Sequence, residues 1–263
     1  ALPLPPLPSW RFLSVFNHRT LFRKGVDLLL RAYHRGFSRR DDVVLILRTD
    51  MDFPAILRKL GMTWGACAPR VHVVSHRLDE ARMLGLYRSC NAFVLPSRGE
   101  GVGRPYLAAL WTGLPVIASG WGGALSFLNG KNARLIPCRP FPARRYWRRL
   151  PHPWEWQGDL AEPDCDGLTE AMRDVFCSHP LTKTPGHLPE GCRSAHVAGL
   201  MKGYLEELGG GEGTRMALEG EERILSRLYP VPGRSGGTMA SAERRFRRIS
   251  VWGAGEGARK ALR

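Results

Sequence analysis

Lysine is scarce in this sequence: of 39 basic residues in 263, only 6 are lysine, and the formal net charge is +15. A basic balance of that size invites a nucleic-acid reading, because clustered cations are the electrostatic footprint of phosphate-backbone binding. The arginines are spread along the whole chain, however, as in a general compositional bias, and nucleic acid is not an expected partner. One dense cluster exists, 139-RPFPARRYWRRL-150, with five arginines and three aromatics. It could meet RNA by charge and stacking, but the preferred reading is a solvated, arginine-rich surface loop, since an acidic stretch from Glu155 to Asp174 follows it. Long apolar runs are missing too, so no segment is long enough to span a membrane. No signal peptide is visible, and a soluble chain on the cytoplasmic side is expected. The six cysteines (Cys67, Cys90, Cys138, Cys165, Cys177, Cys192) contain no C-x-x-C pair and no regular framework. They read as buried or free thiols in a reducing compartment. The eight histidines show no metal-ligand spacing, no G-x-S-x-G occurs, and there are no internal repeats. The chain starts 1-ALPLPPLPSW without a methionine, which reads as a linker over residues 1–11 with something upstream of it.

What is present is an alternation of short β-rich runs with helical ones. The strand candidates are 12-FLSVF-16, 43-VVLILR-48, 71-VHVVS-75, 92-AFVLP-96, 115-PVIAS-119 and 133-ARLIP-137. Between them, 24–36, 53–60, 78–90 and 104–112 carry apolar residues at helical spacing, as in Leu28, Leu29, Ala32 and Tyr33. A last helix is expected at 167–178, with Leu168, Ala171, Met172, Val175 and Phe176 on its apolar face. Near-continuously apolar strands alternating with helices predict a parallel sheet covered on both faces. Residues 12–178 therefore read as a Rossmann-like, doubly wound α/β domain whose ligand sits outside the carboxyl ends of the strands. Residues 179–238 read as a loop-rich extension and linker, with a possible helix at 195–208 and flexible stretches at 209–214 and 230–237. The tail, 239–263, contains Gly253, Gly255 and Ala258 in a G-x-G-x-x-A pattern. It reads either as a chance glycine-rich end or as the truncated start of a further domain.

The segment 97-SRGEGVGRPYLAALWTGLPVIASGWGG-123 carries the chemistry. Gly99, Gly101 and Gly103 allow close backbone approach and positive φ, and Pro105 suits the first turn of a helix. A helix start offers free N–H groups and partial positive charge to an anion, whereas Glu100 suits hydroxyl groups. A ligand with phosphate at one end and hydroxyls at the other would use both. On the helix itself, Tyr106, Leu107, Leu110 and Trp111 are expected in the core.

Three segments together resemble one family, the retaining glycosyltransferases of family 4, which have the GT-B fold. These are 23-RKGVDLLLRAY-33, like its phosphate-binding lysine segment; 87-YRSCNAFVLPSRGEGVGRPYLAALWTGLPVIAS-119, like its E-x7-E glutamate motif followed by a buried strand; and 160-LAEPDCDGLTEAMRDVF-176, like the loop and helix that close the nucleotide-binding half. Order and spacing agree over residues 10–178. The resemblance implies the C-terminal, donor-binding half of a glycosyltransferase that moves a hexose from a nucleoside diphosphate sugar to the hydroxyl of an unidentified sugar, lipid or protein acceptor.

By the same resemblance, Arg19 and Lys24, five apart, would neutralise the diphosphate, and fixed cations would stabilise the leaving group. Glu100 would bind a hydroxyl of the donor sugar, and with Lys24 it is a candidate catalytic residue. The backbone N–H groups of Gly101, Val102 and Gly103 would touch phosphate or sugar. Ser75 and His76 stand where the family holds the base, although His76 also reads as a structural histidine. Arg104 is a candidate phosphate contact that also reads as a surface arginine. No metal and no cofactor are expected. The sequence departs from the motif where the second glutamate should stand, at Ala108, leaving the ribose hydroxyls without that carboxylate. The acceptor-binding N-terminal half has no counterpart here, which implies a missing N-terminal domain. Two alternatives follow: a catalytically impaired remnant that still binds nucleotide sugar, and a basic nucleic-acid-binding protein using the arginines around 144–149.

Overall fold

The computed structural model describes residues 6–149 and 158–178, with the side chains of 147–149 left aside. The extension and tail, the possible helix at 195–208, the glycine pattern at 253–258 and Cys192 lie outside the described residues.

Six parallel strands form the main sheet: β1 (Trp10–Val15), β2 (Val43–Arg48), β3 (Arg70–Val74), β4 (Ala92–Leu95), β5 (Val116–Ser119) and β6 (Arg134–Ile136). They lie in the order β3-β2-β1-β4-β5-β6. The helices between and after them are α1 (Val26–Gly36), α2 (Phe53–Leu60), α3 (Glu80–Arg88), α4 (Arg104–Trp111) and α5 (Cys165–Ser178). This is the Rossmann-like order of a doubly wound sheet. β1 begins at Trp10, inside the stretch read as linker: the Trp10 amide donates to Asp42 O at 3.3 Å and the strand pairs with β2 from Trp10↔Val43 onward.

The inner strands are apolar throughout because both faces are covered. β4 and β5 are buried along their whole length, whereas edge strand β3 is mostly half-buried. Side chains alternate across the sheet. Ala92 and Val94 join a core with Leu29 and Tyr33 of α1, Ile56 of α2 and Leu168, Ala171 and Met172 of α5. Phe93 points to the other face, stacked on Tyr87 of α3 and edge-on to Tyr106 of α4, each with ring centroids 5.8 Å apart. On α4 the buried positions are Tyr106, Ala109 and Leu110, with Leu107 half-buried. Trp111, expected in the core, is 42% exposed: the small Ala109 takes the inward position, which turns residue 111 toward the solvent side.

The arginine-rich stretch is not a loop. Cys138–Pro142 is a strand, β7, paired antiparallel with β8 (Asp159–Pro163), and Ala143–Arg149 follows as a 3₁₀ segment. Its arginines Arg139, Arg144 and Arg145 are exposed. Its Phe141, Ala143 and Tyr146 pack against Phe22 and Leu160. Prolines at 137, 140 and 142 hide the strand from a propensity reading. A two-stranded ribbon has only edges, and an edge strand tolerates a missing donor.

Two left-handed glycines allow a controlled test. Gly25 caps α1 at φ 65°, and a Cβ there would lie 1.8 Å from Pro96 O; Gly61 has φ 64° and nothing within 4 Å of such a Cβ. Both Gly→Ala changes cost about 1–2 kcal/mol of backbone strain. Only Gly25→Ala adds the clash, so chemical denaturation should show it to be clearly the more destabilising of the two. Equal losses would mean that the α1 start and the β4 loop are not in tight contact.

Candidate functional site

The sheet reverses its winding between β1 and β4, and there the loops leaving the two strands come together. The first runs through a 3₁₀ turn (His18–Thr20) to Gly25 and α1. The second, 96–103, ends at Gly103 (φ 76°), which caps α4. They are tied directly: the Arg98 amide donates to Arg23 O at 2.7 Å, Ser97 Oγ lies 3.0 Å from the same oxygen, and Arg23 Nη1 donates to Gly99 O at 2.9 Å. From the β5 side, the Gly123 amide donates to Glu100 O at 2.9 Å. A Cβ on Gly123 would come 1.7 Å from Gly101 O.

This stitching brings Lys24 and Glu100 together. Lys24 Nζ donates to Glu100 Oε1, which also accepts from Ser97 Oγ at 3.0 Å. Arg23 Nη1 lies 3.8 Å from the same oxygen, and the Glu100 side chain is 8% exposed. Burial pulls the Lys24 ammonium below its ordinary value, Glu100 opposes that shift, and the charges of Arg23 and Arg104 add to it. Arg104, exposed at the start of α4, is therefore electrostatically part of the same crevice.

Arg98, one residue beyond the groups singled out by sequence, is the most heavily bonded side chain here. Nε donates to Glu162 Oε2 at 2.5 Å; Nη1 donates to Phe22 O at 2.6 Å and Asp27 Oδ1 at 2.7 Å; Nη2 donates to Asp27 Oδ2 and Glu162 Oε1, both at 2.9 Å. All five donors of a guanidinium are thus used. Its carbon lies 4.1 Å from the centre of the Phe22 ring. Burial alone would lower its pKa, but the carboxylates of Glu162 and Asp27 more than reverse this and hold it above its ordinary value. A signal did exist in the sequence. Asp27 sits in an otherwise apolar run, Val26 to Leu30, and a buried carboxylate needs a cation.

The other expected residues are placed less tightly. Arg19 is exposed on the 3₁₀ turn, its amide donating to Asn17 Oδ1 at 2.8 Å. Neither Arg19 nor Arg104 forms an ion pair among the described residues. Ser75 and His76 are exposed at the carboxyl end of β3, two strands away from β1 on the same edge of the sheet. Among the described residues the amides of Gly101, Val102 and Gly103 have no hydrogen-bond partner. Ala108 is half-buried and lies off the face of α4 that enters the core. None of the cysteines at 67, 90, 138, 165 and 177 forms a disulfide among the described residues.

Fold and site define a Rossmann-like domain with a charged crevice at its switch point. The family follows from comparison with known proteins. The family model "Glycosyl transferases group 1" matches residues 11–143, about half of the sequence, and the chain belongs to that family. It is 28% identical over 141 residues to the D-inositol 3-phosphate glycosyltransferase of Arthrobacter sp. (strain FB24), covering 49% of this chain and 32% of that protein. It is 30% identical over 115 residues to a GDP-mannose-dependent monoacylated alpha-(1-6)-phosphatidylinositol monomannoside mannosyltransferase of Corynebacterium glutamicum, covering 41% of this chain and 29% of that protein. The chain thus spans about a third of the length of these curated relatives. The solved structure of WaaG, a glycosyltransferase involved in lipopolysaccharide biosynthesis, aligns with a TM-score of 0.45 and 22% identity over 66% of this chain and 40% of that one. Among the described residues no helix is long and apolar enough to cross a membrane.

The Arg98 cluster makes a sharp stability prediction. Arg98→Ala strands two carboxylates, one of them 8% exposed, and should cost about 3–5 kcal/mol. Arg35→Ala, which removes a pair whose partners are 61% and 79% exposed, should cost under about 1 kcal/mol. Urea denaturation of both variants checks the contrast.

Proposed function

We propose that this chain carries the donor-binding, C-terminal half of a retaining family 4 glycosyltransferase of the GT-B type, which transfers a hexose from a nucleoside diphosphate sugar to an acceptor hydroxyl. The observation that carries the reading is the meeting of Lys24 with Glu100 at the switch point. A buried ammonium suits a diphosphate, and a carboxylate beside it suits the hydroxyls of a sugar. The pair uses one acceptor position of Glu100 and one of three donors of Lys24, so each keeps capacity for a ligand. Arg19 and Arg104 supply the further cations that a leaving diphosphate calls for, and the amides of Gly101, Val102 and Gly103 add donors. No metal is needed in this reading, because side-chain cations take its role.

Three strand spacings separate β4 from β3, roughly 14 Å, which suits an extended nucleotide with its sugar at Glu100 and its base near Ser75 and His76. The name of the Corynebacterium relative, a GDP-mannose-dependent enzyme, supports a donor of this class. Six cysteines without a C-x-x-C pair or a regular framework support a reducing, cytoplasmic compartment. A second reading, a nucleotide-sugar-binding domain without turnover, is favoured by Ala108, where the motif has its second glutamate.

Calorimetric titration of the full chain with uridine and guanosine diphosphates tests the site. One of them should bind, and Lys24→Ala should weaken it by about 1.5–3 kcal/mol, which is tenfold or more. A variant that binds as well as the parent would exclude the phosphate role.

Ala108→Glu tests the register. Residues 104 and 108 lie on one side of α4, and Arg104 on that side acts on Lys24. A glutamate there should tighten nucleoside diphosphate binding by about tenfold while leaving the melting temperature unchanged. The gain should vanish for a 2′,3′-dideoxy nucleotide. A lower melting temperature without gain would place residue 108 against the core.

A further inference from the structure

The loop that presents Glu100 is gripped from below by a group that touches no expected ligand position. Residue 98 ties its loop to three other parts of the fold: its amide donates to Arg23 O in the turn before α1, its carbonyl accepts from the Ala161 amide of β8 at 2.9 Å, and its guanidinium donates to Asp27 of α1 and Glu162 of β8. One residue on, the loop backbone lies so close to β8 that a Cβ on Gly99 would sit 2.6 Å from Leu160 Cδ2. Asp27 is almost wholly enclosed, with a side chain 8% exposed, but Glu162 is 42% exposed. The clamp therefore has a fixed end on α1 and an adjustable end on the β7–β8 ribbon, a ribbon outside the main sheet that meets the loop through residues 98, 99, 160, 161 and 162.

We infer that Arg98 and Glu162 are positioning residues for Glu100, and that the β7–β8 ribbon thereby sets how the site holds the sugar end of its ligand. The inference rests on the donor-site reading given above. Lys24 lies in the turn just before α1, a turn held by Gly25 against Pro96 and by the bonds of residue 98 to Phe22 O, Arg23 O and Asp27. Glu100, and not Lys24, is carried on the loop that meets the β7–β8 ribbon, through the Arg98 carbonyl, Gly99 and Glu162. Loosening the clamp at Glu162 should thus move the carboxylate more than the ammonium. The sugar contact should suffer while the diphosphate contact stays.

The test compares a bare nucleoside diphosphate with its sugar conjugate: uridine diphosphate with UDP-glucose, and guanosine diphosphate with GDP-mannose, each titrated into the full chain. Glu162→Gln keeps shape and removes charge. Arg98→Lys keeps charge and gives up the planar fork. The preference of the parent for the conjugate should fall about tenfold in either variant, equivalent to about 1.4 kcal/mol. In Glu162→Gln, which leaves the bonds of Arg98 to Phe22 O and Asp27 in place, affinity for the bare diphosphate should stay within about twofold, the scatter expected between independent sites. A parent that binds neither ligand of either pair would bring down the donor-site reading and this inference together. A parent that prefers the conjugate, with Glu162→Gln retaining that preference, would overturn the inference alone. So would a proportional loss of both ligands with a lower melting temperature, because it would show the cluster to be structural only.

Discussion

A guanidinium buried beneath the crevice is the contact on which the site depends. Taking a cation out of water is costly, and the cost is offset only when its geometry is good and every donor is satisfied. Arg98 meets both conditions, with two carboxylates, a backbone carbonyl and an aromatic face around it. Such a cluster is stiff because moving any member leaves the others unpaired in a low-dielectric setting. Stiffness here is useful, since a ligand contact a fraction of an ångström out of place binds poorly.

The charges around the crevice balance. Arg23 and Lys24 face Glu100 in one group of ion pairs and Arg98 faces Asp27 and Glu162 in another, three cations against three carboxylates, the two groups joined by the backbone bond from Arg98 to Arg23. The floor of the site is thus neutral, and the cations beyond it, Arg19 and Arg104, are exposed on the 3₁₀ turn and at the start of α4. A neutral floor with cations at its rim suits a ligand that brings its negative charge in the middle and hydroxyls at the end. The +15 of the whole chain has little to do with this arrangement; the local pairing decides it.

The sheet contributes position rather than chemistry. Its order places the turns after β1 and β4 side by side, and glycines at the two helix starts let the loops approach. The β7–β8 ribbon then closes on the loop from the far side. Membership of the group 1 glycosyltransferases rests on the main sheet and β7, since the family match ends at residue 143, before β8.

The sequence by itself determined the six strands of the main sheet, the helices that cover it and the polar loop, because each is written in local pattern. The unbroken apolar runs at 43–47 and 92–95 read as strands buried on both faces, and Arg104-Pro105 after glycine reads as a helix start. Glu100 stood out among its glycines, whereas Lys24 was singled out only through the family resemblance, and neither segment records that the two side chains meet. The structure decided what depends on distance along the chain. The partners of Arg98 lie 71 and 64 residues away, and no local pattern records such a meeting. The proline-rich strand β7 was hidden because its pairing partner β8 lies beyond an intervening segment, and pairing, not propensity, makes it a strand. Ala109 in place of Trp111 at the core was likewise a matter of which side of α4 faced the sheet. A periodic pattern leaves that open to within a turn, and only packing resolves it.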